Sequence, residues 1–162
     1  MKRLSLILMF MGVMLSTGSM ARESYSLDKG WGFFFSHEAS GDSARHIDLP
    51  HTWNQDALVG VFPYLRTQGL YTRSLYIPKE WSTKRLFLRF YGAESTLDLQ
   101  VNGSYAGTHL GSGVAFTFEI TEFVNFGEDN LLTAIVSNTQ RNDILPASSE
   151  RNIYGGLTRG VE

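Results

Sequence analysis

Two carboxylates and an amide, Asp143, Glu150 and Asn152, stand out chemically because they share one long polar stretch running from Ser137 to Asn152. Carboxylates accept hydrogen bonds from hydroxyl groups, and side-chain amides both donate and accept, so this set suits a hydroxyl-rich ligand such as a sugar. Tyr154, just beyond, offers an aromatic ring for stacking on a sugar face. A polar loop of this length between two strands is a common seat of function. The three residues are therefore the candidate substrate contacts.

Other chemistries find little support. His37, His46, His51 and His109 lack the spacing of zinc ligands, and the chain has no cysteine, so neither a His/Cys metal site nor a disulfide framework is expected. No glycine-rich phosphate loop precedes a helix, and no Gly-x-Ser-x-Gly elbow presents a nucleophile. Arg45, His46 and Asp48 read as the solvated face of a strand edge. The segment Ile47-Asp-Leu-Pro-His-Thr-Trp-Asn54 is more distinctive, because Pro50 stiffens it and Trp53 brings a large ring whose N–H needs a partner. We expect it to plug one end of the fold.

The elements that must position these residues are strands. Leu97, Leu99 and Val101 alternate with Asp98 and Gln100 before Asn102-Gly103, a pair that accommodates the positive φ angles of a type I′ hairpin turn, and Ser104-Tyr105-Ala106 follows. Trp31–Phe35, Leu70–Ile77 ending at Pro78, Leu86–Phe90, Phe116–Ile120 and Leu131–Val136 read as further strands. Thr121 could cap a single helical turn ended by Gly127. No segment sustains a helical apolar period over ten residues. Six or seven strands, several apolar on both faces, predict an all-β antiparallel sandwich, jelly-roll-like, with a closed barrel as the alternative that alternation does not separate.

The N-terminus reads as a leader. Lys2 and Arg3 precede the uncharged run Leu4–Leu15, and Ser19-Met20-Ala21 supplies small residues for cleavage after Ala21. The run is shorter than the roughly 20 residues that span a bilayer, so we expect residues 1–21 to be a signal peptide. The mature protein is then exported, periplasmic or extracellular, without a membrane anchor. Residues 22–162 are enough for one domain. A net charge of −2 and a pI near 6.1 supply no basic field for nucleic acid. At the other end, Gly155-Gly156 followed by Leu157, Thr158 and Val161 reads as a turn entering a last strand that is incomplete, as in an N-terminal fragment.

Read in order, Leu49-Pro-His-Thr-Trp-Asn54, Gly69-Leu-Tyr-Thr-Arg73, Leu86-Phe-Leu-Arg-Phe90, Val101-Asn-Gly-Ser-Tyr-Ala-Gly107, Phe116-Thr-Phe-Glu-Ile-Thr121, Gly127-Glu-Asp-Asn-Leu-Leu132 and Tyr154-Gly-Gly-Leu-Thr-Arg159 form a set. This set resembles the N-terminal sugar-binding domain of the family-two glycoside hydrolases, the β-galactosidase, β-glucuronidase and β-mannosidase group. The resemblance spans nearly all of residues 22–162.

It implies a jelly roll followed, further along the parent polypeptide, by an immunoglobulin-like sandwich and a TIM barrel that holds both catalytic glutamates. The implied reaction is hydrolysis of a β-glycoside with retention, by two carboxyl groups about 5–5.5 Å apart. Asp143 and Glu150 are then not that pair, this chain alone is inactive, and no cofactor or metal is called for. The implied partners are a β-glycoside carbohydrate, of β-galactosidase type, and the downstream domains. Glu150 best matches the family's sugar-contacting acidic position, although the family usually carries aspartate there and an acidic residue where this chain has Gly160. A stand-alone, non-catalytic carbohydrate-binding jelly roll is the other reading.

Overall fold

The computed structural model describes residues 22–37, 44–55, 64–144 and 154–162. Eight strands form there: β1 (Trp31–Phe35), β2 (Arg45–Ile47), β3 (Gln68–Ile77), β4 (Phe87–Phe90), β5 (Thr96–Val101), β6 (Ser104–Leu110), β7 (Phe116–Glu119) and β8 (Glu128–Ser137). They make a six-stranded sheet in the order β2-β1-β3-β8-β5-β6 and a two-stranded sheet of β4 and β7, with antiparallel pairing throughout. The fold is the expected all-β sandwich.

Alternation explains the two layers, because successive side chains on a strand point to opposite faces. Trp31 and Phe33 of β1, Tyr71 of β3, Leu97, Leu99 and Val101 of β5, and Leu132, Ala134 and Val136 of β8 are buried on the inner face of the large sheet. Leu88 and Phe90 of β4 meet them from the small sheet. The last described residues lie along β4: Arg89 and Glu162 exchange both backbone hydrogen bonds at 2.8 and 2.9 Å, and Val161 bridges Phe90. Leu157 and Val161 are thereby buried in the same core. The segment read as an unfinished strand is thus held on the small sheet by isolated bridges.

The hairpin forms as the sequence indicates. Asn102 and Gly103 take φ of 52° and 79°, and Val101 pairs with Ser104. The helical turn expected at Thr121 does not form. Residues 121–123 make a plain turn with one bond from the Phe123 N–H to the Ile120 carbonyl, 3.0 Å. The Thr121 hydroxyl is turned to β4 instead, accepting from the Leu86 N–H at 2.9 Å, so its capping capacity is spent between strands. The short β2 is an edge strand whose Arg45 and His46 are exposed, matching the reading of these residues as the solvated face of a strand edge.

Asn102 also anchors the far end of β8. Its Oδ1 accepts from the Leu131 N–H at 2.9 Å, and its Nδ2 donates to the Phe123 carbonyl and to Asn130 Oδ1 at 2.9 and 2.7 Å. Asn102→Ala should lower unfolding free energy by about 1–3 kcal/mol, since it removes these bonds and places a Cβ-bearing residue without polar compensation at positive φ. Asn102→Gly relieves only the backbone and should recover part of the loss. Urea midpoints of the three proteins test this, and an alanine variant as stable as the wild type would show that the bonds contribute nothing.

Candidate functional site

Residues 49–55 leave the edge of the large sheet and run beside the terminal segment. The His51 N–H donates to the Leu157 carbonyl at 2.8 Å, the Trp53 N–H to the Gly155 carbonyl at 3.3 Å, and the Thr52 hydroxyl to that same carbonyl at 2.8 Å. Trp53 lies between the Phe33 ring, stacked at 6.0 Å and 17°, and the Gly155 backbone. A Cβ on Gly155 would fall 1.8 Å from Trp53 Cζ2, so only glycine lets the indole approach. Gly156 has φ of +133°, and a Cβ there would lie 2.4 Å from the His51 carbonyl oxygen. The Gly-Gly pair thus serves a close contact first and a conformation second. Trp53 plugs this end of the sandwich, as expected.

Beneath the indole lies a buried polar knot. Asn54 and Asn138 are each 1% exposed. Asn54 Oδ1 accepts from the Gly155 N–H at 3.0 Å and from Asn138 Nδ2 at 3.4 Å, while its Nδ2 donates to the Leu65 carbonyl at 3.1 Å. Asn138 Nδ2 reaches that same carbonyl at 2.9 Å, and Asn138 Oδ1 accepts from the Thr67 N–H at 2.8 Å. The Trp53 Nε1–H completes the group with a bond to the Leu65 carbonyl at 3.3 Å. The N–H at Gly155 fixes which Asn54 atom is the acceptor, so the amide has one orientation.

Above the knot sit groups able to meet a ligand. Tyr64 and Tyr154 make an edge contact at 6.2 Å, Arg66 lies over the Tyr64 ring at 5.6 Å, and Tyr154 is 37% exposed. Glu94 is alongside, its N–H bonded to the Gly156 carbonyl at 3.1 Å. Burial pushes the Glu94 carboxyl up, while nearby polar groups and the charge of Arg159 draw it partly back. Burial likewise raises the Tyr64 phenol. Two aromatic rings, a guanidinium and a carboxyl at one end of a rigid sandwich can stack on and hydrogen-bond to a polyhydroxylated ring. Among the described residues no three His, Asp or Glu side chains gather as a metal site.

Of the expected contacts, Glu150 and Asn152 lie outside the described residues. Asp143 is exposed, and both its oxygens are taken by Arg141, at 3.0 Å from Nε and 2.7 Å from Nη2, which holds its carboxyl below the usual range. Asn54, Asn138, Tyr64 and Glu94 were not singled out from the sequence. A signal existed for Asn138: it continues the inward phase of Asn130, Leu132, Ala134 and Val136.

His51 ties this end to the core. Its Nδ1 is 2.8 Å from the Tyr71 hydroxyl, whose oxygen lies 3.4 Å from the Leu157 N–H. The Leu157 N–H donates to the phenol oxygen, and an unprotonated Nδ1 on neutral His51 can accept the phenol proton. Burial, helped by the charge of Arg45, lowers its pKa to about 4. As pH falls, the unfolded chain takes up this proton first, near pH 6.5. The contribution of His51 is therefore complete above about 6.5 and lost progressively toward about 4. Discounted for partial exposure, the loss is about 1–2 kcal/mol. His51→Gln keeps an acceptor for Tyr71 and should show a shallower decline of melting temperature between pH 7 and 4.5 than the wild type. Parallel profiles would contradict this assignment.

Residues 49–161 match the sugar-binding domain of the family 2 glycosyl hydrolases. A β-glucuronidase of Bacteroides fragilis is 46% identical over 141 residues, covering 86% of this chain and 20% of that protein. A β-galactosidase of Thermoanaerobacterium thermosulfurigenes is 29% identical over 124 residues, 74% of this chain and 17% of that protein. Among solved structures, an FMN-binding β-glucuronidase from Faecalibacterium prausnitzii superposes with a TM-score of 0.72 at 38% identity, over 84% of this chain and 21% of that one. This chain thus spans about a fifth of the length of these relatives. The matched range opens on the motif that carries His51, Trp53 and Asn54 and closes beyond the glycines that receive them. The chain belongs to the family 2 glycosyl hydrolases, through the sugar-binding domain of that family.

Proposed function

We propose that this chain is the sugar-facing N-terminal domain of an exported β-glycosidase, whose downstream TIM barrel hydrolyses the glycosidic bond with retention. One observation carries the reading: the two motifs of the family that lie furthest apart in the sequence, around Trp53 and around Gly155, close on each other and present Tyr64 and Tyr154 together at one end. In this reading residues 1–21 are a cleaved leader. The domain contributes ligand contacts, chiefly Glu150 with Asn152 and Asp143 beside it and the Tyr154 ring, and leaves bond cleavage to the barrel.

The sequence motifs suggest a β-galactosidase type. Identity of 46% to a β-glucuronidase against 29% to a β-galactosidase favours a β-glucuronide as the substrate to assay first. The parent protein should release nitrophenol from one of the two nitrophenyl glycosides, while this chain alone should release none. A parent reading frame that lacks a barrel, with carbohydrate bound and nothing cleaved, would replace the enzyme by a binding module.

If Glu150 accepts hydrogen bonds from sugar hydroxyls, Glu150→Ala in the parent enzyme should cost on the order of 1–3 kcal/mol. That is roughly a five- to hundredfold fall in kcat/KM. Glu150→Gln retains an acceptor and should cost less. Unchanged kinetics in a folded Glu150→Ala enzyme would remove Glu150 from the substrate contacts.

A further inference from the structure

We propose that Asn54 is a positioning residue for sugar binding: its buried amide locks the backbone beside Tyr64 to the backbone beside Tyr154, and so fixes the pair of rings that face the ligand. This rests on the reading of this end as sugar-facing. The two backbone groups that Asn54 bonds are the Leu65 carbonyl, 3.1 Å away, and the Gly155 N–H, 3.0 Å away. Each is one residue from a ring of the Tyr64–Tyr154 pair. Those strands of chain are separated by 90 residues of sequence, and Asn138, bonded to both Asn54 and Leu65, joins a third. Only a group that donates and accepts at once can make this link. Aspartate would keep the bond from Gly155 and set a carboxylate oxygen against the Leu65 carbonyl, and alanine would leave the buried Gly155 N–H without its partner and break the link to Leu65, whose carbonyl keeps only Asn138 and Trp53.

A third buried asparagine, away from the knot, separates this role from plain folding. Asn130 is also 1% exposed, and its amide is as fully bonded: Oδ1 accepts from Asn102 Nδ2 and the Asn125 N–H at 2.7 and 2.6 Å, and Nδ2 donates to the Asn125 and Glu128 carbonyls at 2.9 and 3.0 Å. It sits at the start of β8, while Asn138 follows the end of that strand, on the order of 25 Å away at about 3.3 Å per residue. The Asn130 partners hold turns and reach neither tyrosine. Were both amides merely structural, their loss would have the same consequences.

The test compares Asn54→Ala, Asn54→Asp and Asn130→Ala in the parent protein, by steady-state kinetics and by backbone amide exchange. Both Asn54 variants should raise KM about tenfold or more, with kcat falling much less, while Asn130→Ala lowers the melting temperature and leaves KM within about twofold. Exchange at the Gly155 and Thr67 amides should quicken together in Asn54→Ala and stay slow in Asn130→Ala, while Asn54→Asp, which keeps the bond from Gly155, leaves the Gly155 amide slow. Should Asn54→Ala not fold, Asn54→Asp carries the comparison through KM, since it loses only the donor to Leu65. Equal KM shifts at Asn54 and Asn130, or faster exchange at Gly155 with Thr67 unchanged, would overturn the inference. A parent protein that cleaves no glycoside would instead defeat the proposed function, and exchange at Gly155 and Thr67 would still decide whether Asn54 couples the two tyrosine-bearing segments.

Discussion

Everything at the candidate site depends on the indole of Trp53 lying where a side chain at Gly155 would be. That contact brings residue 53 against residue 155, aligns the backbone of His51–Trp53 with that of Gly155–Leu157, and seals the inner face of the large sheet next to Phe33. The approach shields part of the indole from water, while its one N–H stays at a more open position and still takes a partner. The Leu65 carbonyl receives it. Asn54 and Asn138 share that carbonyl, so apolar closure and polar satisfaction are parts of one arrangement. Buried networks of this kind rigidify when complete and destabilise when one member is lost, which gives them leverage over the groups they hold.

The same end is coupled to the core through Tyr71. Its ring is fully buried beside Phe33 of β1, its hydroxyl bonds outward to His51, and its oxygen receives the Leu157 N–H. Leu157 in turn is buried between the sheets, and the residues that follow it lie along β4. A displacement of the Gly155–Gly156 turn would therefore disturb both the ring pair above and the sandwich below. Domains that present a ligand contact on a loop need such a base, because a contact displaced by an ångström loses much of its strength.

The layers were legible because alternation is a property of local sequence: β1, β4, β5 and β7 form within a residue or two of where Trp31–Phe35, Leu86–Phe90, Leu97–Val101 and Phe116–Ile120 place them. β3 and β8 also form, extended by a few residues at their ends, and the Asn102-Gly103 turn sets its hairpin register as its composition requires. Thr121 misled because a hydroxyl that can cap a helix can equally bond a neighbouring strand, and tertiary pairing with Leu86 decided the outcome. The site was harder to read. Trp53 and the glycines are conspicuous in sequence, but their contact spans about a hundred residues, and alternation says nothing about which loops meet. Asn138 hid at the end of a strand in the buried phase, where a polar residue reads as the strand's termination, although that phase is what carries it into the knot. Tyr64 and Glu94 carry no local signal; only the closure of the sandwich brings them beside Tyr154.

The central claim is that the end built on Trp53, Asn54 and Gly155 faces the bound sugar. A crystal structure of the parent protein carrying a mechanism-based inhibitor bound covalently in the proposed barrel tests this most directly. The account requires the Tyr154 ring or a neighbouring residue of this end within about 3.5 Å of the glycone or of the group attached to it. A structure in which the Tyr64–Tyr154 end points into solvent, away from the barrel mouth, would contradict it.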